Sequence, residues 1–243
     1  MKTATLRALA SARAARQPVV VVTRLRDGAQ SLVQAGHPQG DLELVEPVLA
    51  EVRERGLHDR SGRLQTDPGL FMRCYTPARR LILVGAVHIA QALAPAAAMA
   101  GFDVTIVDPR TAFATVERFP DTRLAHDWPD VALAKLAPDA QTAVVALSHD
   151  PKLDDPALIA ALASPAFYVG ALGSRRTHAA RLERFAARGI TGTERLRAPV
   201  GLDLGGRSAG EIAIAIIAEI IQTRYRPIER IPHPHHPTPG ASA

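Results

Sequence analysis

Apolar and polar positions alternate along this chain in two different ways, and the change falls near residue 78. Before it, residues 3–16 carry helical spacing, and the β-branched run "PVVVVTRL" at 18–25 predicts a strand. Asp27-Gly28 offers a hairpin turn into "QSLVQAG". Residues 41–55 again show helical spacing, and 69–77 predict another strand, closed by Pro77. After Arg79 the pattern becomes strand–helix–strand. Almost wholly apolar strands are predicted at 80–86, 102–108, 142–148 and 166–172, with helices at 88–100, 155–163, 175–188 and 208–225. Apolar strands separated by helices indicate a parallel sheet covered on both faces. The expected fold is therefore α/β: a Rossmann-like doubly wound parallel sheet with a small N-terminal α+β domain. The boundaries fall at 1–77, 78–226 and 227–243, the last a Pro/His-rich tail expected to be disordered.

Composition narrows the setting. A chain of 243 residues can bury a sizeable core. No apolar run reaches the roughly 18 residues of a membrane span. The Arg- and Ala-rich N-terminus lacks the continuous apolar stretch of a secretory signal, so an ordinary first helix is expected. Cys74 is the single cysteine, which excludes an internal disulfide framework and a multi-cysteine zinc site, and fits a reducing cytoplasm. The net charge of +5 comes from arginine, since only Lys2, Lys135 and Lys152 are lysines. Arginine suits bidentate recognition of phosphate or carboxylate. The arginines are spread without interleaved aromatics, which argues against a nucleic-acid partner.

In an open parallel sheet, ligands bind outside the carboxyl ends of the strands. The residues expected there are Gly85 and His88, then Asp108 and Arg110, then His149 and Asp150. After the fourth strand come Gly170, Gly173, Ser174, Arg175 and Arg176. The first of these turns, "LILVGAVHIAQAL", departs from the dinucleotide fingerprint G-x-G-x-x-G. Val87 stands at the second glycine and should obstruct a pyrophosphate, whereas Ala90 suits the third position. Asp108 lies 23 positions after Gly85, near the spacing of an acid that takes a ribose hydroxyl. A neutral His88 at the helix start could donate to a ligand oxygen or accept from an N–H. "YVGALGSRRTHAARL" is a second glycine turn into a helix. Ser174 is its natural N-cap, and Arg175 and Arg176 at the helix N-terminus predict a phosphate grip. Further on, Ser208 and Glu211 form a capping box, while Asp203 could take the N–H edges of a pterin or purine.

Five segments taken together, "LILVGAVHIAQALAPAA", "GFDVTIVDPRTAFATVERFP", "VVALSHDPKLDDPAL", "YVGALGSRRTHAARL" and "PVGLDLGGRSAGEIAIAIIAEI", resemble the C-terminal Rossmann domain of the XdhC/CoxI family. The resemblance covers roughly residues 79–223. It implies an accessory protein, not itself catalytic, that binds molybdenum cofactor of the molybdopterin type without using it. The cofactor would be delivered to an apo molybdenum hydroxylase of the xanthine dehydrogenase type. Cofactor supply or sulfuration proteins would be further partners; nucleic acid and membrane are not implied, and a homodimer stays open. The family's Gly-x-Gly-His turn appears here as Gly85-Ala86-Val87-His88. Its longer first domain appears in shortened form without a Gly-Gly-Cys-type segment, and Cys74 reads as a small apolar filler. Two alternatives remain from the residues alone. One is an NAD(P)-dependent oxidoreductase with His88 or His149 as proton donor; the other is a nucleotide-sensing regulatory domain.

Overall fold

The computed structural model describes residues 2–225, so the expected tail at 227–243 lies outside the described residues. The chain opens with helix α1 (Thr3–Ala14), then strands β1 (Val19–Arg24), β2 (Gln30–Gln34) and β3 (His37–Gly40). Helix α2 (Glu46–Leu57), β4 (Gly62–Arg63) and β5 (Leu70–Tyr75) complete an antiparallel sheet of order β3-β2-β1-β5-β4. The run of valines in β1 is apolar on both faces because both are covered. Val19 and Val21 pack with Leu9 and Ala12 of α1, while Val20 and Val22 pack with Val48, Leu49 and Val52 of α2. Helix α2 begins five residues after the expected start, at the residue before Pro47. Proline is at home in the first helical turn, and the preceding Leu42 and Leu44 are buried in irregular chain.

The second sheet is parallel. It holds β6 (Arg79–Val84), β7 (Phe102–Val107), β8 (Arg123–Ala125), β9 (Thr142–Ala146), β10 (Tyr168–Ala171) and β11 (Leu196–Arg197), in the order β11-β10-β9-β6-β7-β8. Counted within the sheet this is the doubly wound order 3-2-1-4-5-6, whose direction reverses between β6 and β9. The helices are α3 (His88–Met99), α4 (Pro129–Leu136), α5 (Pro151–Leu162), α6 (Arg175–Ala187) and α7 (Ala209–Tyr225). One face packs Leu81, Leu83, Val104, Ile106 and Val145 against α3 and α7. The other packs Ile82, Val84, Val144 and Val169 against α4, α5 and Phe185 of α6. Four short elements of this domain, β8, α4, β11 and a 3-10 turn at Thr193–Arg195, were not expected from the sequence. Helix α5 starts at Pro151, earlier than the expected 155, because Asp150 caps it through Lys152 N at 2.9 Å.

The two sheets are tied at the chain crossing between them. Arg16 donates to the Ala78 carbonyl at 2.7 Å and pairs with Asp139 at 3.3 Å. Arg79 bridges Asp59 at 3.1 Å and the Tyr225 hydroxyl at 2.7 Å.

Glu51 on α2 anchors the loop before β5. Its carboxylate accepts from Gln65 N, Thr66 N and Thr66 Oγ1 at 2.7–3.0 Å and from Arg55 Nη1 at 3.0 Å. Burial alone would push this acid up, but the hydrogen bonds prevail and hold it at about 2, against an ordinary 4.5. A carboxylate held low stabilises the fold above its unfolded value and loses that contribution as pH falls through the folded one. Urea midpoints should therefore decline between about pH 4.5 and 2. Glu51→Gln should lower the midpoint at pH 7 and flatten this acid limb; an unchanged limb would remove Glu51 from the account.

Candidate functional site

At the reversal of strand order the loops leaving β6 and β9 meet at the carboxyl edge of the sheet, the edge at which ligands bind in open parallel sheets. Gly85, the first residue after β6, has φ +105°. A Cβ placed there would lie 2.9 Å from Ser148 N and 3.0 Å from its Cα. Glycine is thus required by the contact between the two loops themselves. Val87, expected to stand in the turn, is half-buried and packs with the apolar cluster beneath α3. It is also the N-cap residue of α3 and supplies no side-chain cap. His88 is exposed at the helix start, with Nδ1 at 3.2 Å from Gln91 Oε1.

Asp108 follows β7, and its carboxylate is completely buried. Oδ2 accepts from Ala86 N at 2.8 Å and Arg110 Nη2 at 2.8 Å. Oδ1 accepts from Arg110 N and Nε, both at 2.9 Å. Burial opposes its charge, yet the Arg110 guanidinium and the two amides hold the carboxyl below the usual range. The acid lies where spacing placed it, but each oxygen is already met by two donors. Arg110 lies across the mouth of this corner, with its guanidinium 4.7 Å from the Phe113 ring centre.

The loop after β9 is braced from below. Ser148 donates through N at 3.2 Å and Oγ at 2.6 Å to Asp154 Oδ1, and accepts from Asp150 N at 3.1 Å. His149 is exposed in this loop, in the left-handed region, φ +62°. Asp154 is buried, and desolvation raises its carboxyl despite Ser148 and Arg181. Arg181, itself 2% exposed, approaches Asp154 Oδ2 only to 3.7 Å.

Gly170 does not reach the rim. It is buried within β10, where a Cβ would come 2.6 Å from Val200 Cγ2 and 2.8 Å from Tyr168 Cε1, so its role is packing. Gly173 has φ +139° and leads into Ser174, which caps α6 by accepting from Thr177 N at 3.1 Å. Arg175 and Arg176 are exposed beside it. Asp203 is exposed in the loop before α7, whose start is fixed by the expected capping box: Ser208 N donates to Glu211 at 2.9 Å. That loop has a second anchor which the sequence reading missed. Glu219, a lone acid among apolar neighbours on α7, accepts from Gly201 N at 2.8 Å and from the buried Tyr168 hydroxyl.

A cavity of about 130 Å³ lies elsewhere, lined by Phe167, Arg195, Arg197 and Thr223 near the start of β10. Among the described residues no group of three or more His, Cys, Asp or Glu is placed to hold a metal ion. None of the described helices is long and apolar enough to cross a membrane.

A family model described as the XdhC Rossmann domain matches residues 81–220. The Escherichia coli (strain K12) protein YqeB is 28% identical over 236 residues, covering 88% of this chain and 44% of YqeB. The E. coli molybdenum cofactor insertion chaperone PaoD is 36% identical over 152 residues, covering 62% and 42%. A Bacillus subtilis (strain 168) protein, named as a probable subunit of xanthine dehydrogenase, is 34% identical over 158 residues, covering 65% and 46%. The chain thus spans less than half the length of these curated relatives. Among solved structures, a xanthine dehydrogenase from Bacillus halodurans has the same fold, with a TM-score of 0.70 at 24% identity over 90% of this chain and 66% of that one.

The Gly85–Ser148 contact predicts the cost of filling it. Gly85→Ala combines an unfavourable φ with a backbone clash and should destabilise the fold by about 2–4 kcal/mol, read as a lower thermal midpoint. An unchanged midpoint would mean that the two loops are free to separate.

Proposed function

The chain belongs to the XdhC family, and from that premise we propose that it binds a molybdenum cofactor of the molybdopterin type in the carboxyl-edge crevice and delivers it to an apo molybdenum hydroxylase. The observation that carries this reading is the division of the rim by charge. The capped turn Gly173–Ser174 with exposed Arg175 and Arg176 offers cations and helix N–H groups to a phosphate. Asp203 and Asp150 lie on other loops of the same edge, and carboxylates suit the N–H edge of a pterin ring. The donor set therefore fits the organic part of such a cofactor. When bound, the cofactor brings the metal centre that the client enzyme uses; this chain grips phosphate and ring. PaoD, named as a molybdenum cofactor insertion chaperone, supports the assignment at 36% identity. The partners are then the apo-hydroxylase and the proteins that supply or sulfurate the cofactor, in the cytoplasm. The NAD-dependent form of the oxidoreductase alternative is disfavoured because Asp108, the acid it needs for the ribose diol, is fully engaged.

Protein purified from a cofactor-producing host should carry pterin, measured as its fluorescent oxidation product, and molybdenum by mass spectrometry. Arg175→Ala with Arg176→Ala should weaken binding by about 1.5–3 kcal/mol for each charged hydrogen bond lost, while the ligand-free melting temperature barely moves. Bound NAD(P) without pterin would overturn the proposal; an unchanged affinity would move the phosphate away from this turn.

A further inference from the structure

The corner after β7 is built to discriminate between ligands. In a doubly wound nucleotide-binding sheet, the acid at this position accepts hydrogen bonds from a ribose diol. Here Asp108 has no exposed surface, and Ala86 N together with three donors of Arg110 occupies both its oxygens. A diol arriving at this corner finds no free acceptor. It meets the outer edge of a guanidinium, because the Arg110 side chain remains 39% exposed.

The arrangement is locally encoded. In Asp108-Pro109-Arg110 the Arg110 amide turns back onto Asp108 Oδ1, which directs its side chain across the carboxylate. Phe113 then supports the guanidinium with a centroid distance of 4.7 Å. Arg110 Nη1 has no hydrogen-bond or ion-pair partner among the described residues, leaving an edge of the fork for a ligand anion.

We propose that Arg110 is a specificity-determining residue: paired with Asp108, it makes this corner reject a ribose diol and accept a phosphate group. The proposal concerns the same crevice as the cofactor site but depends only on the closed carboxylate, so it stands or falls whether or not the ligand is a pterin.

Pyridine nucleotides are suitable probes, because NAD⁺ and NADP⁺ differ at this corner only by a 2′-phosphate. Both are titrated calorimetrically into the full chain, into Val87→Gly, and into Val87→Gly with Arg110→Ala; the glycine removes any obstruction by the isopropyl group. With Arg110 present, NADP⁺ should bind at least tenfold more tightly than NAD⁺. With Arg110→Ala the order should reverse, NAD⁺ gaining and NADP⁺ losing at least tenfold each. Arg110→Gln, which can donate to only part of the carboxylate, serves if the alanine variant does not fold, and it should shift the ratio the same way. Equal or tighter binding of NAD⁺ while Arg110 is present would overturn the proposal. So would an unchanged ratio in the Arg110 variants, or their failure to bind NAD⁺, since something other than the closed carboxylate would then exclude the diol. None of these outcomes bears on whether pterin copurifies with the unaltered protein.

Discussion

A carboxylate without exposed surface has to be matched donor for donor, and the arrangement of the loops at the carboxyl edge follows from how Asp108 is matched. Its partners come from two different loops: Ala86 from the turn after β6 and Arg110 from the turn after β7. Removing a partner would leave a buried charge uncompensated, at a cost of about 3–5 kcal/mol. The two turns are therefore locked together. On its other side the first turn rests against Ser148 through Gly85, and Ser148 is held by Asp154. A continuous set of contacts thus spans the ends of β7, β6 and β9, across the point where strand order reverses.

The support beneath β9 is of a different kind. Asp154 and Arg181 are both buried, yet they stand 3.7 Å apart. Arg181 Nε and Nη1 and Asp154 Oδ2 have no hydrogen-bond partner among the described residues. A pair matched this poorly repays little of its desolvation. Its effect is positional: Asp154 directs its other oxygen at the Ser148 amide and hydroxyl and so fixes the loop that presents His149 with φ +62°. The neighbouring Asp155 shows the contrast, with a bidentate Arg184 pair at 2.7 and 3.0 Å.

The central strands were legible because burial on both faces writes an unbroken apolar run, as in "LILV" and "TAVVA". Strand β11 has two residues and β8 three, too short for any period to show, and α4 is an eight-residue helix between irregular segments. For the site, topology told which residues reach the rim but not what each one meets there. Gly170 and Gly173 look alike in sequence, yet only the fold brings Val200, thirty positions away, against Gly170. Spacing located Asp108 and could not show that Arg110 folds back upon it, although Asp-Pro-Arg is a sequence well suited to such a turn. Glu219 was legible in principle, since a lone acid in "IAIAIIAEIIQ" needs a buried partner, and Tyr168 with Gly201 N provides it.

These placements change where the departure from the dinucleotide-binding pattern resides. From sequence the missing glycine at Val87 carried that burden, but the valine is partly withdrawn into the core beneath α3. The acid remains at its usual address and is closed by an arginine two residues on. Closing it converts the β7 corner from an acceptor of hydroxyl groups into a cationic edge, on the same rim as Arg175 and Arg176 beside the α6 turn. The remaining carboxylates on this rim, Asp150 and Asp203, lie on the loops after β9 and before α7. A rim with cations at some loops and carboxylates at others favours a ligand that is itself divided, anionic at one end and rich in N–H groups at the other. On the proposed reading, such a ligand would be held by charge at separate loops and would need no close approach to the glycine turn. A fold of this kind would thus be able to lose the second glycine and still hold a ligand.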